Sequence, residues 1–372
     1  MMQSLKNIIA QSIMHSVKIY IFVLHHMDKR VGNIKELAAL AGLSTATVSR
    51  ILNGKGRAYR ISAATCEKVL ALAARYHYSP NRIARGLKLE KTETIGLIIP
   101  DIANPFFASI AKTIELESRK KGYSIILCDS QDDEATEKEL LMLLAGRKVD
   151  GIILAPAGAG CSHLCEFDRV RIPVVLVDRY FPDMDIPWVA TDNWRGAYQA
   201  TSFLIESGHT RIACIQGTPG ISSSTERVKG FTDALVAHGI LPESCYVVGN
   251  DFGELNGYTE TMALLKREDC PTAIFALGNL ISLGMLRAVS ESGLQIPEDV
   301  STVTFDDQPY AAFLKTPMTT VEQPRQEIAR RAVEILFEAL ELGTTTQQET
   351  RIMLMPELIV RDSVKNLSVV PD

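Results

Sequence analysis

Little in this chain is spaced for bond-making chemistry. Asp306-Asp307 is the most suggestive acidic pair. Adjacent residues at a strand end point to opposite faces, however, so these two carboxyls are not placed to share a proton. Cys161-Ser-His-Leu-Cys165 gathers potential metal ligands, but Cys-x₃-Cys is not a zinc spacing and no second pair accompanies it. Those cysteines are expected to pack one face of a short helix, with no metal. No phosphate-binding P-loop, Gly-x-Gly-x-x-Gly turn or nucleophile elbow stands at a strand-to-helix junction. These features argue against an enzyme and call for no cofactor.

The chemistry these residues do carry is recognition, and it is densest between Asn33 and Asn53. Ile34, Leu37, Ala38 and Ala41 fall at helical spacing and give a short helix one apolar face. Gly42 sits where a tight turn needs positive φ. Ser44 can cap a second helix, whose buried side carries Val48, Ile51 and Leu52. Two short helices about a glycine turn are the pattern of a helix-turn-helix. The second helix exposes Thr45, Ala46, Ser49 and Arg50. Such a helix enters the DNA major groove with its N-terminal residues leading. Short side chains at Thr45 and Ala46 let it sit deep, and Arg50 can fork onto a guanine edge.

Charge divides along the same line. Residues 27–91 hold 13 Lys/Arg against 4 Asp/Glu, a net +9, whereas residues 92–372 carry a net −16. A small basic head on a larger acidic body points to nucleic-acid contact confined to the head. The 7 cysteines are an odd number without a Cys-x-x-Cys pair, which fits a reducing cytoplasm.

Residues 1–26 contain the apolar run Ile19–Leu24, too short to span a bilayer. No small-residue cleavage site follows it. Met27-Asp-Lys-Arg30 looks like a natural start, and residues 1–26 are expected to be an extension without function. After the basic loop Gly54–Ile61, Ser62 can cap a third helix, with Val69, Leu70 and Ala73 closing a three-helix core. Tyr78-Ser-Pro-Asn81 ends that helix. Residues 81–92 form a short basic hinge whose helix is too short to stand alone. From Thr94 onward apolar strands alternate with helices, the signature of parallel doubly wound sheets. A second such series begins near Asp192. Two units of this kind leave a ligand cleft at the strands' carboxyl ends.

The chain from about Asn33 to Asp362 resembles the lactose/galactose repressor (LacI/GalR) family of bacterial transcription regulators. The motifs are Ala46-Thr-Val-Ser-Arg-Ile-Leu-Asn-Gly54, Asn81-x-x-Ala-Arg-x-Leu87, Ile95-Gly-Leu-Ile-Ile-Pro-Asp101 with Asn104-Pro-Phe-Phe107, and Gly151-Ile-Ile-Leu154. Val177-Asp-Arg179, Asp192-Asn193 with Gly196, Gly208-His-x-Arg-Ile-Ala213, Arg227-x-x-Gly-Phe231 and Phe305-Asp-Asp307 follow in order. The resemblance implies an α/β protein: a three-helix DNA-binding head (27–80), a hinge (81–92) and a core (93–362) similar to periplasmic sugar-binding proteins. Within that core, one subdomain is expected at about 93–191 and 323–345 and the other at about 192–322 and 346–362, leaving 363–372 as a tail.

On family positions, Thr45, Ala46 and Arg50 read bases. Ser49, Asn53, Tyr78 and Asn81 touch phosphates, and Leu87 wedges into the minor groove. Phe106, Phe107, Asp178, Arg227, Phe252, Asn279 and Asp306 fall on effector-binding positions. Carboxylates and a guanidinium suit vicinal hydroxyls, and an aromatic covers a sugar ring's C–H face. The sequence departs from the family at Gly278-Asn279-Leu280, where an Asn-Asp pair is usual, and in a Lys55–Arg60 loop longer than the lactose repressor's. No leucine heptad follows Asp362, so a dimer is expected rather than a tetramer. The resulting expectation is a cytoplasmic homodimeric repressor, without membrane association, that binds a pseudo-palindromic double-stranded operator under control of a sugar or sugar phosphate. The alternative is a periplasmic-type sugar-binding protein for transport, against which the +9 head argues.

Overall fold

In the computed structural model, residues 31–78, 91–167, 170–242, 245–343 and 350–368 are described. The extension 1–26, most of the hinge, and with it Asn81 and Leu87, lie outside them. The chain divides into two compact units at Thr92/Glu93.

The first unit is three helices: α1 (Ile34–Ala41), α2 (Thr45–Leu52) and α3 (Ala63–Arg75). Each starts on a side-chain cap. Asn33 accepts from the amides of Lys35 and Glu36, Ser44 from Thr47, and Ser62 from Thr65, each contact satisfying an amide that lacks an intrahelical partner. Gly42 ends α1 at φ 69°, as the turn requires. Leu37, Ala38, Ala41, Val48, Ile51, Val69 and Ala73 form the core. Leu70, expected there, is 51 % exposed. Cys66 and Leu72, each three residues from Val69, pack against the core in its place.

The second unit holds two parallel-dominated sheets. The first is built from β1 (Thr94–Ile99), β2 (Ser124–Asp129), β3 (Gly151–Leu154), β4 (Val174–Val177), β5 (Trp188–Thr191) and β11 (Arg351–Leu354), in the order β11-β5-β4-β3-β1-β2. The second is built from β6 (Ile212–Ile215), β7 (Tyr246–Val248), β8 (Ala273–Ala276), β9 (Ser301–Phe305), β10 (Thr319–Glu322) and β12 (Glu357–Ile359), in the order β12-β10-β9-β8-β6-β7. The orders match position for position, so β4 of one sheet corresponds to β9 of the other. Central strands are buried end to end because helices cover both faces.

Around the first sheet lie α4 (Pro105–Lys120), α5 (Glu134–Gly146), α6 (Ser162–Phe167) and the late helix α11 (Arg325–Leu342). Ile328, Ala332, Val333 and Leu336 of α11 share a core with Ile110 and Ile114 of α4. Around the second lie α7 (Asn193–Glu206), α8 (Ser222–Ala237), α9 (Glu254–Leu265) and α10 (Asn279–Glu291).

Two expectations change. The segment 346–362 does not belong wholly to the second subdomain: β11 runs parallel to β5 in the first sheet, and only β12 returns to pair with β10. Pairing there is set by which sheet edge is open, which local sequence does not encode. Cys161 and Cys165 do not form the packed face of α6 either. His163, Leu164 and Phe167 are buried while Cys165 is exposed. His163 Nε2 meets Oε1 of the buried Glu137 at 2.5 Å, and its Nδ1 meets Glu134 at 3.2 Å. Burial alone would lower the imidazole's pKa, but these two carboxylates outweigh it and raise it.

Candidate functional site

On the first unit, Thr45, Ala46, Arg50 and Asn53 are exposed. Ser49 and Tyr78 are half-buried. The α2 core residues Val48 and Ile51 fix which face turns outward. Asn53 donates from Nδ2 to the Ser49 carbonyl at 2.7 Å and closes the helix. Tyr78 packs against the three-helix core, and burial raises its hydroxyl pKa. The Arg50 guanidinium lies 4.0 Å from the centroid of the Tyr59 ring, a neighbour that periodicity did not reveal.

On the second unit, a cavity of about 300 Å³ opens between the two sheets' carboxyl ends. Phe106, Phe107, Asp178, Arg227, Phe252, Asn279 and Asp306 all line it. Asp178 and Asp306 each stand one residue beyond the corresponding strands β4 and β9, at φ 65° and 73°. This left-handed conformation is one that aspartate tolerates better than most residues, and holding it costs about 1–3 kcal/mol. Both strand ends therefore carry local backbone strain where they border the cavity.

Arg227 is 3 % exposed. Its Nε donates to Asn193 Oδ1 and its Nη1 to the Leu277 carbonyl, both at 2.7 Å. Its guanidinium covers the Phe305 ring at 3.9 Å. Burial depresses its pKa, against the pull of Asp306 and Asp178. Asp306 is held by Gln323 Nε2 at 2.6 Å and by the Asn279 amide at 3.3 Å. Burial drives the Asp178 carboxyl up to about 6 despite Arg227 and Arg179, and its Oδ1 has no hydrogen-bond partner among the described residues. A buried acceptor left open at a cavity wall is a place for a ligand's donor.

Several lining residues were not singled out from the sequence. Arg179 pairs with Asp132, donates to the Pro156 carbonyl at 2.9 Å, and lies 5.2 Å from the centroid of the Phe252 ring. Asn104 caps α4 through the Phe106 amide and also accepts from Asn279 Nδ2 at 2.8 Å, joining the two subdomains. Arg179 and Asn104 stood inside recognised motifs without an assigned role. Gln323 and Asp132 carry no local signal, because crossovers bring them in. Asp101, Asp129 and Asp251 complete the carboxylate set.

A basic helix-turn-helix unit joined in sequence to a two-sheet unit with a polar cleft defines a class: ligand-responsive DNA-binding regulators. The comparisons with known proteins agree. Residues 33–81 match "Bacterial regulatory proteins, lacI family", and residues 92–362 match "Periplasmic binding proteins and sugar binding domain of LacI family". The chain belongs to the LacI family and is a DNA-binding transcriptional regulator. It is 34 % identical over 344 residues to the HTH-type transcriptional repressor PurR of Haemophilus influenzae (strain PittEE), covering 91 % of this chain and 100 % of that one. A LacI family transcriptional regulator from Enterococcus faecium with bound ribose superposes with a TM-score of 0.68 at 29 % identity, over 74 % of this chain and 99 % of that one. The Lac repressor dimer bound to operator and the anti-inducer ONPF shares the fold, with a TM-score of 0.80 at 24 % identity, over 90 % and 99 %. The curated relatives are transcriptional repressors rather than enzymes.

Proposed function

We propose that the chain is a repressor that binds a pseudo-palindromic operator as a homodimer, with an affinity that changes when a neutral, polyhydroxylated molecule of monosaccharide size fills the cleft. The lining chemistry carries this reading: six aspartates and only two arginines face a cavity of about 300 Å³. Both arginines are already engaged, Arg227 by Asn193 and the Leu277 carbonyl, Arg179 by Asp132 and the Pro156 carbonyl. Surplus acceptors suit hydroxyl donors, and six carboxylates against two arginines disfavour a phosphate group. The unphosphorylated sugar is therefore favoured over the phosphorylated form, and the ribose-bound relative supports that class. A thermal-shift panel of free pentoses and hexoses beside their phosphates tests it. A ligand at 100 times its Kd adds about 2.7 kcal/mol of apparent stability. Stabilisation by phosphorylated sugars alone would overturn the reading.

Phe106, Phe107, Asp178, Arg227, Phe252, Asn279 and Asp306 hold that effector. With Asp178 near 6, a ligand hydroxyl donated to its open Oδ1 favours the ionised carboxylate. Binding then releases a proton below pH about 6, and affinity falls by up to about tenfold from pH 7 to pH 5. Calorimetry at pH 5.5 in two buffers of different ionisation enthalpy reads this directly. Identical heats in both buffers would remove Asp178 from ligand contact.

In the head, Thr45, Ala46 and Arg50 read bases. Ser49, Asn53, Tyr78 and Asn81 position the helix on phosphates, and Leu87 wedges into the minor groove at a cost of a few kcal/mol per unstacked step. One head covers a single half-site, so two-fold pairing of chains matches a pseudo-palindrome. Arg50→Ala should cost about 1–3 kcal/mol and relax preference at one base pair per half-site. Selection from a randomised duplex pool checks it, and an unrelaxed pattern would refute the assignment. The effector acts only through its difference in affinity between two cleft orientations, typically about 1–3 kcal/mol, and DNA alters effector affinity by the same factor. The protein works in the cytoplasm and catalyses no reaction. No helix among the described residues is long and apolar enough to cross a membrane.

A further inference from the structure

The loop between α2 and α3 is built more firmly than its basic, glycine-containing composition predicts. The Lys55 amide donates to the Arg50 carbonyl at 2.9 Å, the Tyr59 amide to Lys55 at 3.2 Å and the Ile61 amide to Gly56 at 3.0 Å. Gly56 is buried, and a Cβ there would come within 2.7 Å of Cys66 Sγ on α3. The loop is thus seated on the three-helix core, and Tyr59 projects from it. Its ring is half-exposed and faces the Arg50 guanidinium at 4.0 Å. A guanidinium at this distance is attracted by the ring's negative face. A guanidinium held over a ring face can keep its N–H edge turned away from the ring, and that is the edge that forks onto guanine O6 and N7. Among the described residues that edge makes no hydrogen bond or ion pair.

We propose that Tyr59 is a specificity-determining positioning residue, whose ring holds the Arg50 side chain extended for base reading so that less rotamer freedom is lost on binding. The proposal rests on the reading of α2 as the base-contacting helix. Tyr59 acts through Arg50. The loop's cations Lys55, Arg57 and Arg60 supply charge toward phosphates instead.

The two contributions separate experimentally. The full chain, as wild type, R50A, Y59L and Y59F, is used to select from a pool of duplexes carrying a randomised pseudo-palindrome, and the selected binders are titrated against salt. Leucine keeps apolar bulk at position 59 but has no π face, whereas phenylalanine keeps the face. Y59L is expected to lose about two- to fivefold of the preference at the base pair that R50A relaxes, the range of an exposed cation–π contact. Its salt slope stays at the wild-type value, because no phosphate contact is lost. Y59F keeps the wild-type preference. Retained preference in Y59L, an even loosening across all positions, or equal losses in Y59L and Y59F would each overturn the proposal. If R50A itself relaxes no base pair, the reading of α2 fails first, and the role of Tyr59 fails with it.

Discussion

Replacing Arg227 with alanine is expected to destabilise the second unit by about 3–5 kcal/mol at pH 7.5, the usual cost of breaking a buried charge group by removing one partner. The substitution removes the cation between Asp178 and Asp306 and leaves Asn193 Oδ1 and the Leu277 carbonyl without their donor. The deficit should shrink as pH falls. Burial already places Asp178 at about 6, and losing Arg227 raises it further. The folded variant then binds protons more tightly than the unfolded chain, so its relative stability grows from pH 7.5 toward pH 5. Denaturant melts of both proteins at pH 5.5 and 7.5 test this. A loss below 1 kcal/mol, or one equal at the two pH values, would show that Arg227 is not the counter-ion of this cleft. The result also matters for reading function. R227A is not a clean probe of ligand contact, because it removes the support of two carboxylates together. Arg227→Lys retains the charge while losing the forked geometry, and separates the two effects.

Operator affinity should fall by about a thousandfold or more between 50 and 200 mM salt, as for a protein that neutralises 6–10 phosphates. The basic stretch 27–91, with 13 Lys/Arg against 4 Asp/Glu, supplies the cations, and residues 92–372, at net −16, supply no attraction. Removing one phosphate-contacting cation from the head should lower the salt slope by about one. Neutralising exposed acidic residues of the second unit should leave it unchanged. Fluorescence anisotropy across a salt series reads both. A slope that follows charges on the second unit would mean that the head does not bind alone.

Much of this was legible in the sequence because it is written locally. Helical spacing at Leu37, Ala38 and Ala41, the caps Ser44 and Ser62, and the glycine turn at Gly42 act within a few residues, and the three-helix unit has them as read. The alternation of apolar strands with helices set the doubly wound architecture for the same reason: burial on both faces leaves continuous apolar runs. The seven cleft positions carried over from family motifs all line one cavity. Tertiary structure alone decided the rest. Which sheet takes β11 depends on the open edge beside β5, and Leu70 points outward by one helical step that helix–helix packing fixes. Asp132, Arg179 and Gln323 enter the cleft through crossovers, Asp132 and Arg179 meeting from 47 residues apart. Tyr59 meets Arg50 from a loop that sits on Cys66 at Gly56. Periodicity and capping are one-dimensional signals, whereas charge pairing and ring stacking depend on distances that close only when distant segments pack.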